Sequence, residues 1–136
     1  MIMKKVIQSL GCVLFAISTL LFTTVSVSAQ DATKVDPDHY KVEFENDLVR
    51  IVRISYDPGE KSVMHEHPDG VVVFLTEGGE TTFTFPDGTT EVATTKSGIA
   101  AWSPAVTHLP ENTGDKPLEA ILIEFKVKPE MASKTD

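Results

Sequence analysis

Cysteine is nearly missing from this 136-residue chain; Cys12 is the only one. It lies in the N-terminal apolar stretch. Once that stretch is removed, the chain has no disulfide, no thiolate ligand and no cysteine nucleophile. Basic residues are scarce as well: 12 Lys and Arg face 20 Asp and Glu, for a formal net charge of −8. Such a chain repels phosphate backbones, which excludes nucleic acid as a partner. No stretch of adequate length carries a sustained 3.6-residue apolar period, so a helical domain has no support. No serine stands in a Gly-x-Ser-x-Gly elbow, and no phosphate loop or dinucleotide glycine pattern occurs. Internal repeats and low-complexity tracts are lacking too.

What is present begins with an export signal. Lys4 and Lys5 form a basic start, residues 10–22 an apolar core, and Val27-Ser28-Ala29 places small residues before a cleavage point. This reads as a signal peptide over residues 1–29 that directs the chain to the periplasm or outside the cell. An uncleaved anchor fits less well, because Ser18 and Thr19 interrupt a run already short for a span. Lipidation at Cys12 fits poorly too, since the apolar core follows the cysteine instead of preceding it. Loss of Lys4 and Lys5 leaves ten basic residues against twenty acidic ones, a net charge of −10. The 107 residues from 30 to 136 suffice for one small core.

Residues 30–37 are polar and read as a flexible arm, residues 129–136 as a flexible tail, and residues 38–128 as one domain. That domain reads as short strands between turns. Tyr40–Phe44, Leu48–Tyr56, Val71–Thr76, Thr81–Phe85, Thr89–Lys96, Ile99–Ser103 and Leu118–Val127 are separated by Glu45-Asn46-Asp47, Asp57-Pro58-Gly59, Glu77-Gly78-Gly79, Pro86-Asp87-Gly88 and Ser97-Gly98. Regular strands at this spacing predict an all-β fold, a small antiparallel barrel or jelly roll.

The chemistry concentrates in histidine. The chain has four, and His65 and His67 stand two apart in a β-like stretch, Gly59-Glu60-Lys61-Ser62-Val63-Met64-His65-Glu66-His67. Strand parity points both rings the same way and Glu66 the other way. Such a pair serves either as a hydrogen-bonded structural couple or as two metal ligands. His108 lies in a second Gly- and Pro-marked stretch, residues 98–112, and three imidazoles facing one cavity suit Zn, Fe, Ni, Cu or Mn. Asp69 and Glu111 are candidate fourth ligands, with the solvated loop acid as the favoured reading of each. His39 lies outside both stretches and reads as a surface or interface residue. Met64, Phe74, Phe83, Phe85, Trp102 and Phe125 are candidates to line the cavity or fill the core, and Pro104 and Pro110 stiffen the His108 segment.

These two stretches resemble the two motifs of the cupin superfamily. The first runs Gly, five residues, His-x-His, three or four residues, Glu, six residues, Gly; Gly59, His65, His67 and Gly78 fit, while Val71 or Val72 stands at the Glu position. The second runs Gly, five residues, Pro-x-Gly, two residues, His, three residues, Asn; Gly98, Pro104, His108 and Asn112 fit, with Val106 at the second Gly and the Pro-to-His spacing one residue short. The resemblance covers residues 38–128. It implies a cupin barrel with His65, His67 and His108 as the ligands of one divalent transition ion. It places His108 on the wall opposite the pair, gives Asn112 a structural part, and puts Val71 inward where many relatives carry a carboxylate. A three-histidine set resembles that of some thiol and diketone dioxygenases of the superfamily. The expected function is a metal-dependent dioxygenase or isomerase acting on a small organic molecule. The alternative is a non-catalytic module that binds a small ligand. After cleavage of the signal no membrane association is expected, and a homodimer through an exposed strand edge is.

Overall fold

The structure, a computed structural model, describes residues 30–77 and 79–126. The signal peptide expected at 1–29, Gly78 and the tail expected at 129–136 lie outside the described residues. The described residues form strands β1 (Gln30–Asp31), β2 (Tyr40–Glu45), β3 (Val49–Tyr56), β4 (His65–His67), β5 (Gly70–Phe74), β6 (Glu80–Thr84), β7 (Thr90–Thr94), β8 (Ala100–Ser103), β9 (Val106–Asn112) and β10 (Leu118–Phe125), with one helical turn, α1 (Ala32–Val35). They assemble into two five-stranded sheets, ordered β1-β4-β9-β6-β7 and β2-β3-β10-β5-β8. All neighbours are antiparallel except β1 and β4. This is the all-β jelly roll the turn spacing predicts.

Parity builds the interior. Along β10 the inward residues are Leu118, Ala120, Leu122 and Glu124, and opposite them on β3 stand Tyr56, Ile54, Val52 and Arg50. Val52, Leu122 and Ala120 are almost wholly buried, and Val52 and Leu122 pack with Tyr40 and Tyr56. Each apolar side chain of valine or leucine size buried this way contributes about 1.5–3 kcal/mol. Yet of the five largest fully buried side chains, His65, Glu124, Val52, Asn112 and Thr81, only Val52 is apolar. Much of the interior is therefore given to polar groups, which must be paired to be tolerated there.

Two motif glycines have a backbone reason. Gly59 and Gly98 take φ of 82° and 79° at the turns before the His65 segment and before β8, a region other residues enter only with strain. Asn112 is buried; its Nδ2 donates to the Tyr56 and Lys116 carbonyls at 3.2 and 2.8 Å, and its Oδ1 accepts from Gly114 N. It ties the end of β9 to two loops, the structural part that the motif implies.

Three expectations need correction. Residues 30–37 are not a loose arm: Asp31 caps α1 by accepting from Thr33 N, Ala32 is fully buried, and β1 adds to β4. The polar composition concealed this because the anchors are ion pairs and a single buried methyl group. Residues 106–112, left out of the strands expected from the turns, form a regular strand that includes Pro110, whose carbonyl accepts from Ser62 N at 2.9 Å. Parity also does not carry from His67 to Val71. The chain turns at Pro68-Asp69 and changes sheets, so Val72 and Phe74 face the interior instead. Val71 lies in an outward row, Phe44–Ile51–Ile123–Val71–Trp102, that crosses the whole second sheet.

Candidate metal centre

The three motif histidines meet because of strand register. His65 and His67 share a face of β4, and His65 stands directly opposite His108 on the neighbouring strand β9. Side chains opposite one another on an antiparallel pair lie within contact range. His108 therefore sits beside the pair on the same sheet, not on the opposite wall as expected from the motif. The rings are mutually perpendicular, with centroids 4.8 to 5.5 Å apart. Each offers one nitrogen, and these nitrogens all lie within 4.8 Å of one another. Phe83 stacks on His108 at 5.2 Å, and Tyr40 meets His65 edge-on at 4.8 Å.

Hydrogen bonds fix which nitrogens face inward. His65 Nδ1 lies 2.8 Å from the Val63 carbonyl, which can only accept, so the proton is on Nδ1. His67 Nδ1 likewise donates to the Glu124 carboxylate at 2.8 Å. In the neutral rings both lone pairs then reside on Nε2, and these two atoms are 3.0 Å apart. Two lone pairs at that distance repel unless a cation lies between them. A proton shared by His65 and His67 would remove the repulsion, but it would leave His108 Nε2 as it stands, buried and without a hydrogen-bond partner among the described residues. One metal ion would satisfy all three nitrogens. The residues present thus fit a divalent transition ion, and imidazole is a ligand that Zn, Fe, Ni and Cu accept.

Electrostatics favour neutral rings ready to ligate. Burial, then the neighbouring His67, pushes His65 down to about 4. Burial, then His67 and His65, pushes His108 down to about 3. Tyr40 is raised far above the usual phenol range, by burial first and the adjacent Tyr56 second. Its hydroxyl is held at 2.7 Å by that of Tyr56.

Neither candidate fourth ligand joins the cluster. Asp69 Oδ1 accepts from Ala105 N at 2.8 Å, and Glu111 pairs with Lys61 at 3.3 Å. His39 is half-buried, stacked on Tyr56 at 4.4 Å and bonded to Asp36, away from the three rings. The residue missed by sequence reasoning is Glu124, 1% exposed, which grips His67 from behind and receives Arg50 Nε at 2.5 Å. Its signal was available: it is the one charged residue among the inward positions of β10, and it stands opposite the one charged inward residue of β3.

Beside the histidines lies a cavity of about 130 Å³, walled by Ile54, Val72, Phe74, Phe83, Leu118 and Leu122 together with both tyrosines, His67 and His108. Of the expected lining residues, Phe74 and Phe83 are there. Met64 and Phe85 are not among its wall residues, Trp102 is 57% exposed, and Phe125 borders an outer groove with Arg50 and Asp69. Thr81 and Ser103 are the neutral polar residues of the wall besides the tyrosines, and no Asp, Glu, Lys or Arg among the described residues lines it.

No family model matches the sequence. No curated protein matches it. Solved structures do. A cupin domain from Bordetella pertussis Tohama I is 27% identical, with a TM-score of 0.59 over 65% of this chain and 92% of that one. A cupin family protein with a double-stranded β-helix fold from Methanocaldococcus jannaschii is 19% identical, TM-score 0.51, over 63% and 77%. A conserved protein with a double-stranded β-helix domain from Klebsiella pneumoniae is 22% identical, TM-score 0.50, over 62% and 73%. The chain has the cupin fold, a double-stranded β-helix.

Proposed function

We propose that the protein is a member of the cupin superfamily that holds one divalent transition ion on His65, His67 and His108 and acts on a compact, mainly apolar molecule in the adjoining cavity. The observation that carries this reading is the orphaned His108 Nε2 beside two converging Nε2 lone pairs. A bound ion would supply Lewis acidity at open coordination positions, the chemistry of a dioxygenase- or isomerase-type reaction. The chain's own residues do the rest. Glu124 and Val63 hold the ring protons on Nδ1, Phe83 stacks on His108, and the aliphatic wall excludes water. About four waters would fill 130 Å³. A charged group of the ligand has no partner on that wall, so it belongs at the ion. The metal's identity within Fe, Zn, Ni, Mn and Cu is left open by an all-imidazole set.

The alternative, a non-catalytic ligand-binding module, is favoured by one observation: among the described residues no carboxylate or lysine lines the cavity to move a proton. Elemental analysis of the purified protein, then oxygen uptake and turnover with loaded and stripped protein, separates the two. Stoichiometric metal with turnover supports the enzyme; metal without turnover supports the module. A protein that holds no metal after reconstitution defeats both metal readings. Export by residues 1–29 and a homodimer belong to the same proposal. N-terminal sequencing of exported protein should begin at Gln30, and a lipid-modified Cys12 would refute it.

A further inference from the structure

We infer that the N-terminal segment from Gln30 to Asp38 is a fastening of the metal centre, with Asp31 and Asp36 as positioning residues for His67 and His65. The inference rests on the three-histidine reading above. Two separate hydrogen-bond chains carry it.

The first begins at Asp31. Thr33 holds its Oδ1 through both backbone N and Oγ1, at 3.0 and 2.9 Å. The carboxylate then receives the Arg50 fork, Nη1 to Oδ2 at 2.6 Å and Nη2 to Oδ1 at 3.1 Å. Arg50 Nε donates to Glu124 Oε2, and Glu124 Oε1 accepts from His67 Nδ1. Bidentate guanidinium pairing fixes orientation as well as charge. Arg50 is thereby turned so that its remaining Nε–H meets Glu124. Burial pushes the Asp31 carboxyl up, but the Arg50 and Thr33 hydrogen bonds outweigh it and hold it at about 2.

The second begins at Asp36. Its Oδ2 accepts from Ser62 Oγ, and the same carboxylate receives His39 Nδ1 at 2.8 Å. Since a carboxylate only accepts, the Ser62 proton is committed to Asp36. The Ser62 oxygen, 3.1 Å from His65 Nδ1, is left as an acceptor. His65 Nδ1–H thus lies between two acceptors, Ser62 Oγ and Val63 O. The tautomer that would put a proton on Nε2 has lost its place.

Both chains start on one short segment and end on the outer nitrogens of two neighbouring rings. An ion pair serving stability alone has no reason to end there. The segment is also delivered to the site by register, since β1 pairs Gln30 with His65 and Asp31 with Glu66. Its effect is to keep both Nε2 lone pairs turned inward, an arrangement that repels itself without a cation and so is matched to one.

The test is Co(II) affinity, measured by competition with a chelator, alongside the visible Co(II) spectrum and the metal-free melting temperature. Partners behind metal-ligating histidines typically change affinity by roughly 10–100-fold. Asp31→Asn and Asp36→Asn should each weaken Co(II) binding by about tenfold and alter the spectrum. Acting on different rings, they should weaken binding further in the double variant than in either single one. Ser62→Ala should reproduce Asp36→Asn, and it decides the matter if an aspartate variant does not fold. Glu119→Gln, which breaks a comparable pair with Arg53 remote from the histidines, should leave affinity and spectrum as they are. If the strap variants bind Co(II) within twofold of the parent while Glu124→Gln is weakened, the strap is structural only and the inference is overturned with the metal reading intact. If the parent itself binds no Co(II), the metal reading fails and takes the inference with it.

Discussion

Acid should unfold the metal-free protein in a window set by its buried histidines. His65 falls from the ordinary 6.5 to about 4 on folding, and His108 to about 3, burial being the main cause in each. Both shifts are downward, so between these values and 6.5 the unfolded chain binds more protons than the folded one. Stability then rises with pH across that range. The contribution is complete above pH 6.5 and is lost as pH falls toward 4. The lowering of His65 from 6.5 to about 4 sets an upper bound of about 3 kcal/mol on this contribution, less what solvent screening removes. His108 acts in the same direction. Because the two rings and His67 repel one another's protons, their effects do not add as independent sites. Asp31 acts lower, below pH 3.8, so it does not blur the window.

The assay is urea unfolding of chelator-stripped protein from pH 7.5 to 4.5, following the midpoint at constant m. Stability should fall on acidification, and a His65→Gln, His108→Gln double variant should flatten the slope. Saturating Zn or Co(II) should raise stability at pH 7.5 and steepen its decline, because metal and protons compete for the same lone pairs. A pH-independent midpoint between 7 and 5 in the stripped parent would refute the argument that these rings are held neutral by burial.

Other outcomes follow from the same geometry. His65→Ala, His67→Ala and His108→Ala should each abolish stoichiometric metal binding by elemental analysis while circular dichroism still reports the β fold. His39→Ala should keep the metal and cost about 1 kcal/mol from the lost stack on Tyr56. Asn112→Ala strands the buried Tyr56 carbonyl and should cost about 1–3 kcal/mol, read as a lower thermal midpoint. The outward row from Phe44 to Trp102, with these two side chains 50% and 57% exposed, offers a face for a second copy besides any strand edge. Light scattering should give a dimer mass, and Trp102→Glu should shift it toward monomer.

The parts legible in the sequence were those with local causes. Turn chemistry at Asp57-Pro58-Gly59 and Pro86-Asp87-Gly88 placed the strands to within a residue or two, and parity put His65 and His67 on one face. What failed depended on where a strand goes next. Val71 was assigned inward by counting through Pro68-Asp69, where the chain leaves one sheet for the other. The strand carrying His108 was concealed by Pro110, which reads as a breaker unless its neighbour's pairing is known. The N-terminal segment looked solvated because polar residues in ion pairs and polar residues in water have the same composition.

The carboxylate is the more instructive miss. The motif position holds valine, which left only Asp69 and Glu111 as candidate acids for the site. The fold supplies one from the last strand, and Glu124 approaches His67 from the outer side instead of the cavity side. That placement changes what the acid can do. A carboxylate facing the cavity would cancel part of an ion's charge and occupy a coordination position. Behind the ring, it orients His67 and fixes its tautomer while leaving the inward positions free. Arg50 and Asp31 then balance Glu124 in turn, so the added negative charge is shared along a chain of fixed hydrogen bonds. An ion held on three neutral imidazoles, as proposed, would keep its full charge toward the cavity. With no other charged group on that wall among the described residues, an anionic head on an otherwise apolar ligand would have one favourable place to go. On the proposed reading, the same sequence departure that removes the usual acid would therefore make the loaded site select for the charge of its ligand.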